Sequence, residues 1–490
     1  MSLSRLAAFF WGERAQSRYL WLAAFLLLFT FLGQHDIWTQ EHRWADIVAG
    51  MFYRHDFLHP YLGTTVYYDK PLLSYWLIAA LVKLTGIFNT VILRLPSACA
   101  GLITLFSIYR LGYRLKNREF GLLAAWLLLT TFYFLFWARI SSADMLNMAG
   151  SLFAVMWYVE KRDQPGLLNY AIFFLVLALT ALCKGLGGIA VPMIAIVIDV
   201  ALQRAWTQHL RLSALIAILP ALVVYLLPFW LSAHFNAAHY QESGLYLVYR
   251  ENILRYFQPF DHEGSIYTYV INLPLYTLPW AFFLIPALCR LPWQFRKASL
   301  SSKWITLSTF CLFLFFTLSG SRRNYYILPV VPFAILMIAD WLSERPLQST
   351  RQQIAALLAL CMACLLWLAV DIVPAWYYTH IGVRPFSTAL KAEASQQMPW
   401  SDWHVVMLDG ESKLNFYLDL PPNTPNYSLK QIQPMLAHLH LSPHTIYIST
   451  ASDLALLKPY FAHYQVLSLR PHTPFALVNK VDTPIAFIPT

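Results

Sequence analysis

Apolar runs of about 16 to 22 residues recur along most of this chain, and they restrict what it can fold into more than any other feature. A soluble domain of similar length carries roughly 25% charged residues. Here 12% of 490 residues are charged, 58% are hydrophobic, and mean hydropathy is +0.50. The pattern predicts a polytopic α-helical membrane protein. The net charge of +10 does not point to nucleic acid, because the cations sit in short loops between apolar runs, where they report topology. All six cysteines fall inside apolar runs without metal-site company, so no disulfide is expected. The first run lacks a small-residue cleavage site and reads as an anchor rather than a signal peptide.

Loop charge sets the expected topology. Arg5, Arg14 and Arg18 precede the first span, about 19–33, and place the N-terminus in the cytoplasm. Basic loops follow at 113–119, 160–164, 203–211, 290–297 and 343–353. Between them lie spans near 95–113 and 120–138, 144–160 and 167–183, 186–202 and 212–233, 266–289 and 304–319, and 325–342 and 353–373. All five basic loops are cytoplasmic only if the run at 72–84 does not cross. That run has about 13 residues where roughly 20 are needed, so it is expected to lie flat at the outer face. The count is about eleven spans plus outer-face amphipathic helices. Residues 1–373 form the membrane domain, with 34–93 as its first outer loop. Residues 374–490 are polar and Pro-rich, with strand-like runs at 404–408, 445–449 and 464–469 and helical patterns at 428–440 and 451–463. They predict a small outward-facing α/β domain.

Ionisable groups beside membrane segments are costly, so each is a functional candidate. The outward loops collect them: "DIWTQEHRWADI", "YYDKP", "WARISSADMLN", "CKGLGG", "YRENILRYFQPFDHEG" and "SGSRRNYYILP". Arg322 and Arg323 oppose the positive-inside tendency. A cation cluster suits a phosphate, and carboxylates suit general-base or charge-stabilising work. At Asp69–Lys70 an acid followed by Pro71 fits an ordinary helix start, but a cation there does not. Lys184 also reads as a snorkelling span-end lysine, and Glu41 as a salt-bridge partner for Arg43 or Arg139. Tyr67, Tyr68 and Trp76 read as interface aromatics or as the lining of a lipid groove. His262, flanked by Asp261 and Glu263, leaves a divalent cation open, though no metal site is expected.

In this order, "QEHRWADI", "YYDKP", Asp144 after "WARISSA", "CKGLGGIAVP", "ENILRYFQPFDHEG" and "SGSRRNYYILPVVP" resemble the polyprenyl-phosphate-dependent glycosyltransferases. That family includes the aminoarabinose transferases of lipid A and, more distantly, the protein O-mannosyltransferases. The resemblance covers roughly Tyr19 to Leu342 and implies a C-type glycosyltransferase fold. It further implies transfer of a sugar from a polyprenyl phosphate, with inversion, to an acceptor at the periplasmic face of a bacterial inner membrane. Lipid A or a related glycolipid is the expected acceptor, with protein the alternative. No cofactor, no nucleic acid and a monomer are expected. By resemblance, Lys70, Arg255 and Tyr325 or Tyr326 hold the lipid phosphate; the outer-loop cations Lys184, Arg322 and Arg323 are expected, from their charge and position, to help bind it. Asp144 is the acidic residue of the second outer loop. Arg43, Tyr68, Arg139 and His262 stand in supporting positions.

Two departures matter. Asp69 stands where aminoarabinose transferases usually carry Glu, and Gln40 occupies the position of the family's aspartate. An amide cannot accept a proton as a base. Glu41 takes over that role, or Asp69 or Asp144 does, or the acceptor is already an anion and Gln40 only orients it. A transporter is the rival from another class. It would place charges near mid-membrane and show internal repeats, and neither is visible here.

Overall fold

The computed structural model describes residues 13–38, 40–235, 244–258, 263–289, 295–344, 361–380, 382–410, 413–428, 430, 444–461, 463–468 and 484–489. The chain divides into two compact units, one of residues 1–32 and 68–371, the other of residues 33–67 and 372–490.

The first unit is helical. Its helices are α1 (Glu13–Phe29), α2 (Leu73–Thr85), α3 (Thr90–Leu115), α4 (Arg118–Leu129), α5 (Phe132–Ala138), α6 (Ala143–Lys161) and α7 (Leu167–Lys184). After them come α8 (Gly187–Gln203), α9 (Leu212–His234), α10 (Thr268–Tyr276), α11 (Leu284–Cys289), α12 (Leu300–Leu318) and α13 (Val331–Ser343). Helix starts are written locally. Asn89, Asn117, Ser142 and Ser299 each accept a backbone N–H of the first turn of α3, α4, α6 and α12. A Cβ at Gly112 of α3 would come within 2.8 Å of the Gly121 Cα of α4, so these helices cross backbone to backbone.

Five helices are long and apolar enough to cross a membrane among the described residues, and up to seven when two bent pairs count as single spans. The bent pairs are α4 with α5, at 72°, and α10 with Trp280–Cys289, at 114°. The chain is therefore a multi-pass membrane protein. At the α4–α5 break the hydroxyls of Thr130 and Thr131 satisfy the carbonyls of Trp126 and Leu127. The run at 72–84 forms the 13-residue helix α2, about 20 Å long and short of the roughly 30 Å hydrocarbon core.

The second unit carries a five-stranded sheet of β1 (His404–Leu408), β2 (Asn426–Tyr427), β3 (Thr445–Thr450), β4 (Tyr464–Ser468) and β5 (Pro484–Pro489). The spatial order is β2-β1-β3-β5-β4, with β1 parallel to β2 and β3, and β5 antiparallel to β3 and β4. Helix α14 (Val383–Ala394) closes one face through Phe386 and Leu390. Strands β1, β3 and β4 coincide with the three alternating runs of the sequence. Strand β5, "PIAFIP", carries no alternation: five of its six residues are buried, which is how a central strand reads. The helical pattern at 428–440 falls mostly outside the described residues, and 451–463 forms short turns of helix rather than one continuous element.

The sequence reading joined 34–93 to the membrane domain, whereas residues 33–67 cluster with the C-terminal residues. The reason is direct bonding. Asp36 Oδ2 accepts the Val383 N–H at 2.7 Å, and the Tyr417 hydroxyl accepts the Ile37 N–H at 2.9 Å.

Candidate functional site

Three segments of the first unit meet around a cavity of about 600 Å³. Asp69 and Lys70 precede α2, Lys184 and Gly185 end α7, and Glu251 to Arg255 follow α9. Gly185 is needed at its position. Its φ is +133°, and a Cβ there would sit 2.3 Å from Asn252 Oδ1. That amide oxygen accepts the Leu186 N–H at 2.8 Å while its NH₂ group donates to the Val248 carbonyl. The glycine turn and the 250s segment are thereby locked together.

Every cation of the cavity meets a carboxylate. Lys70 Nζ lies 2.9 Å from Asp69 Oδ2. Arg255 Nη1 lies 2.5 Å from Glu251 Oε2 and 3.8 Å from Asp69 Oδ1. Lys184 pairs with Asp144 Oδ1 and also stands 4.9 Å from the centre of the Tyr326 ring. Ser142 caps α6 and donates its hydroxyl to Asp144 Oδ2 at 2.9 Å, so both oxygens of Asp144 are occupied. Burial pulls the Lys70 pKa down, but the carboxylates of Asp69 and Asp144 outweigh it, and the net shift is upward. Lys70 is a firmly charged ammonium. Burial pushes Glu251 up against the opposing pull of Arg255. Asn147 Oδ1 also faces this region, buried and without a hydrogen-bond partner among the described residues.

The other sequence-derived candidates are placed differently. Tyr325 accepts a 2.6 Å hydrogen bond from Arg323 Nη1 and packs on Trp137. Arg322 donates to the carbonyls of Thr317 and Gly264, at 3.0 and 2.6 Å, and so holds a loop. Arg139 donates to the carbonyls of Leu27 and Thr30 and pairs with Asp371, which ties α1 to its neighbours. Tyr68 is buried against Phe229. Glu41, Gln40 and Arg43 belong to the second unit. There the buried Glu41 accepts the Trp38 N–H at 2.8 Å, and Arg43 donates to the Tyr67 hydroxyl at 3.0 Å. His262 and Asp261 lie outside the described residues. Among the described residues no group of three or more His, Cys, Asp or Glu could hold a metal. All six cysteines are free.

Glu251 and Asn252 were missed as site residues. The E-x-x-x-R spacing of Glu251 and Arg255 was the available signal, since it places both side chains on one helical face.

The family model described as dolichyl-phosphate-mannose-protein mannosyltransferase matches residues 69–231, beginning at Asp69. A relative from Aeromonas salmonicida, described as undecaprenyl phosphate-alpha-4-amino-4-deoxy-L-arabinose arabinosyl transferase, is 28% identical over 328 residues. That match covers 65% of this chain and 59% of the relative. A relative of the same description from Pectobacterium carotovorum is 29% identical over 331 residues, covering 66% of this chain and 58% of its own. The chain thus spans about three fifths of the length of these curated relatives. Among solved structures, ArnT from Cupriavidus metallidurans bound to undecaprenyl phosphate superposes with a TM-score of 0.72. It shows 15% identity and coverage of 96% of this chain and 97% of that one. The oligosaccharyltransferase of Archaeoglobus fulgidus gives a TM-score of 0.54 at 11% identity, covering 91% and 70%. In sequence, then, the chain resembles the polyprenyl-phosphate-dependent glycosyltransferases, the aminoarabinose transferases above all, and its fold is the one ArnT displays.

Proposed function

We propose that the chain is a glycosyltransferase of the inner membrane that moves a sugar from undecaprenyl phosphate to an anionic acceptor at the periplasmic face, a phosphate of lipid A. The observation that carries this reading is the pairing of Lys70, Arg255 and Lys184 with Asp69, Glu251 and Asp144 around one cavity. Three cations balanced by three carboxylates leave the cavity near neutral. An arriving lipid phosphate therefore finds preorganised donors without a large excess of like charge to repel its acceptor.

The reaction is a single displacement. An acceptor phosphate oxygen attacks the anomeric carbon, and the bond to the polyprenyl phosphate breaks with its electron pair on the leaving phosphate. The anomeric centre inverts. Negative charge then grows on the leaving group, where Lys70 and Arg255 stabilise it. Asp69 and Asp144 are both engaged by cations, which suits them to orient Lys70 and Lys184 rather than to take a proton. A phosphate acceptor needs no base, unlike a Ser or Thr hydroxyl, and this favours lipid A over protein. The unpartnered Asn147 Oδ1 is suited to a hydroxyl or amino group of the sugar. The eleven-span topology with both ends of the loop charge rule satisfied belongs to the same proposal, as does the outward placement of residues 374–490.

The test is transfer by purified protein in liposomes, from undecaprenyl-phosphate-linked aminoarabinose to lipid A, read by the acceptor's mass. Glycosylation of periplasmic protein with unmodified lipid A would overturn the acceptor assignment. In the same assay Glu41→Gln and Asp144→Asn separate the carboxylates, and unchanged turnover in Glu41→Gln excludes Glu41 as base.

A further inference from the structure

A second cavity, of about 450 Å³, lies at the far end of the helices that carry Asp144 and Lys184. Asp144 opens α6 and Lys161 closes it, 17 residues later, which is about 26 Å along the axis. That distance approaches the thickness of a hydrocarbon core. The two cavities therefore address opposite leaflets.

The walls are apolar, with Phe173, Phe174, Met193, Val197 and Leu215 among them. The rim is polar and cationic. His209 lies between two tyrosines, its Nε2 3.4 Å from the Tyr158 hydroxyl and its Nδ1 3.1 Å from that of Tyr170. Asp199 fixes this knot through Tyr158, Arg162 and both contacts of Gln203. Asp199 thus counters Arg162. Lys161 and Arg211 also line the cavity, and neither has a carboxylate at ion-pair distance among the described residues. Lys161 Nζ rests 5.7 Å above the Trp157 ring, and Arg211 is exposed. Burial, joined by the nearby arginines, holds His209 below its usual range, so the rim's spare positive charge sits on Lys161 and Arg211.

We propose that this cavity binds one anionic glycerophospholipid of the leaflet opposite the Asp144–Lys184 site. Its phosphate lies between Lys161 and Arg211, and an acyl chain lies along Phe173, Met193 and Leu215. An apolar slot with spare cations at its mouth matches that amphiphile. A zwitterionic lipid brings its own cation to the same place, and a free phosphate gains nothing from the walls. The proposal does not depend on the transfer reaction.

The test is native mass spectrometry of the full chain in detergent, titrated with phosphatidylglycerol or phosphatidylcholine. One retained phosphatidylglycerol is expected. Retention falls about 30-fold in K161Q/R211Q, from roughly 1 kcal/mol per cation near the surface. Ala214→Trp, which fills the cavity and leaves every charge in place, is expected to abolish retention. Equal retention of phosphatidylcholine overturns the proposal in favour of annular lipid. Full competition by inorganic phosphate overturns it in favour of a free-anion site. Wild-type retention in a folded Ala214→Trp protein overturns it as well, whether or not the double variant folds.

Discussion

Lys70→Met removes one of the two ammonium groups that line the cavity. Lys70 Nζ stands 2.9 Å from Asp69 Oδ2 and lines the cavity with Arg255 and Lys184. On leaving, a polyprenyl phosphate gains about one negative charge. At about 4 Å and an effective dielectric near 20, a unit charge pair is worth about 4 kcal/mol. Arg255 and Lys184 remain to take up part of that charge, so the forfeited stabilisation is about 3 to 4 kcal/mol, a fall in kcat of about 10²- to 10³-fold. The bound donor carries one charge fewer than the departing phosphate, so affinity for it should fall less than kcat. Asp69 keeps Arg255 at 3.8 Å, and the fold should therefore survive with a modest loss of thermal stability. The assay is single-turnover transfer in liposomes, beside equilibrium binding of the sugar-linked undecaprenyl phosphate donor and a thermal scan. Lys70→Arg should recover part of the rate. A folded Lys70→Met protein with kcat within fivefold of wild type refutes the assignment, and a change confined to KM refutes the charge argument behind it.

Gly185→Ala should lower the melting temperature by several degrees and weaken donor binding, because the methyl must displace Asn252 and the φ of +133° is strained for alanine. An unchanged thermal scan would contradict that. Glu251→Gln should tighten undecaprenyl phosphate at neutral pH by releasing Arg255 from its counter-charge. In the wild type, protonation of the upward-shifted Glu251 as pH falls should produce the same tightening, so the variant's pH profile of Kd should be flatter on the acid side. Asp46 is buried, and burial pushes its pKa from 3.8 up to about 7. A carboxyl raised on folding contributes nothing adverse below the unfolded value, and its cost grows as pH rises from about 4 to about 7. The full difference is about 4 kcal/mol. Asp46→Asn should therefore stabilise the protein at pH 8 and leave it unchanged near pH 4, read from melting temperatures at the two pH values.

How far the sequence could be read depended on whether the relevant signal was local. Helix starts at Asn89, Asn117 and Ser142 are single-residue signals, and the apolar runs between them are long, so the helices fell close to their expected positions. The bend at Thr130–Thr131 was not visible in hydropathy, since two hydroxyls bonding back to their own helix look like any other pair of threonines. Within the site, Lys70 stood out because a cation at a helix start violates a local rule. Arg139 and Arg322 also stood out as charges near spans, yet both donate to backbone carbonyls. A charge at a span end is satisfied equally well by a ligand or by an interrupted helix, and sequence alone does not distinguish them. Strand β5 was missed because "PIAFIP" holds no polar residue and so carries none of the alternation by which strands such as "TIYIST" are recognised.

The pairing of Lys184 with Asp144 shows why the six motifs need one another. Lys184 ends α7 and Asp144 begins α6, so the pair joins one helix's C-terminus to the N-terminus of the helix before it. Each charge alone would fit its own helix dipole, an acid at a start and a base at an end. Together they also satisfy each other, and Ser142 then fixes the carboxylate that holds the lysine. The lysine is left over the Tyr326 ring, at the edge of the same cavity that Lys70 and Arg255 line. A change in any one of Ser142, Asp144 or Tyr326 should therefore move Lys184. Double-variant cycles of Asp144→Asn with Tyr326→Leu should show coupling of about 0.5 to 3 kcal/mol in donor binding. Additive losses would mean that these residues act on separate parts of the substrate, and the single-cavity account would fail.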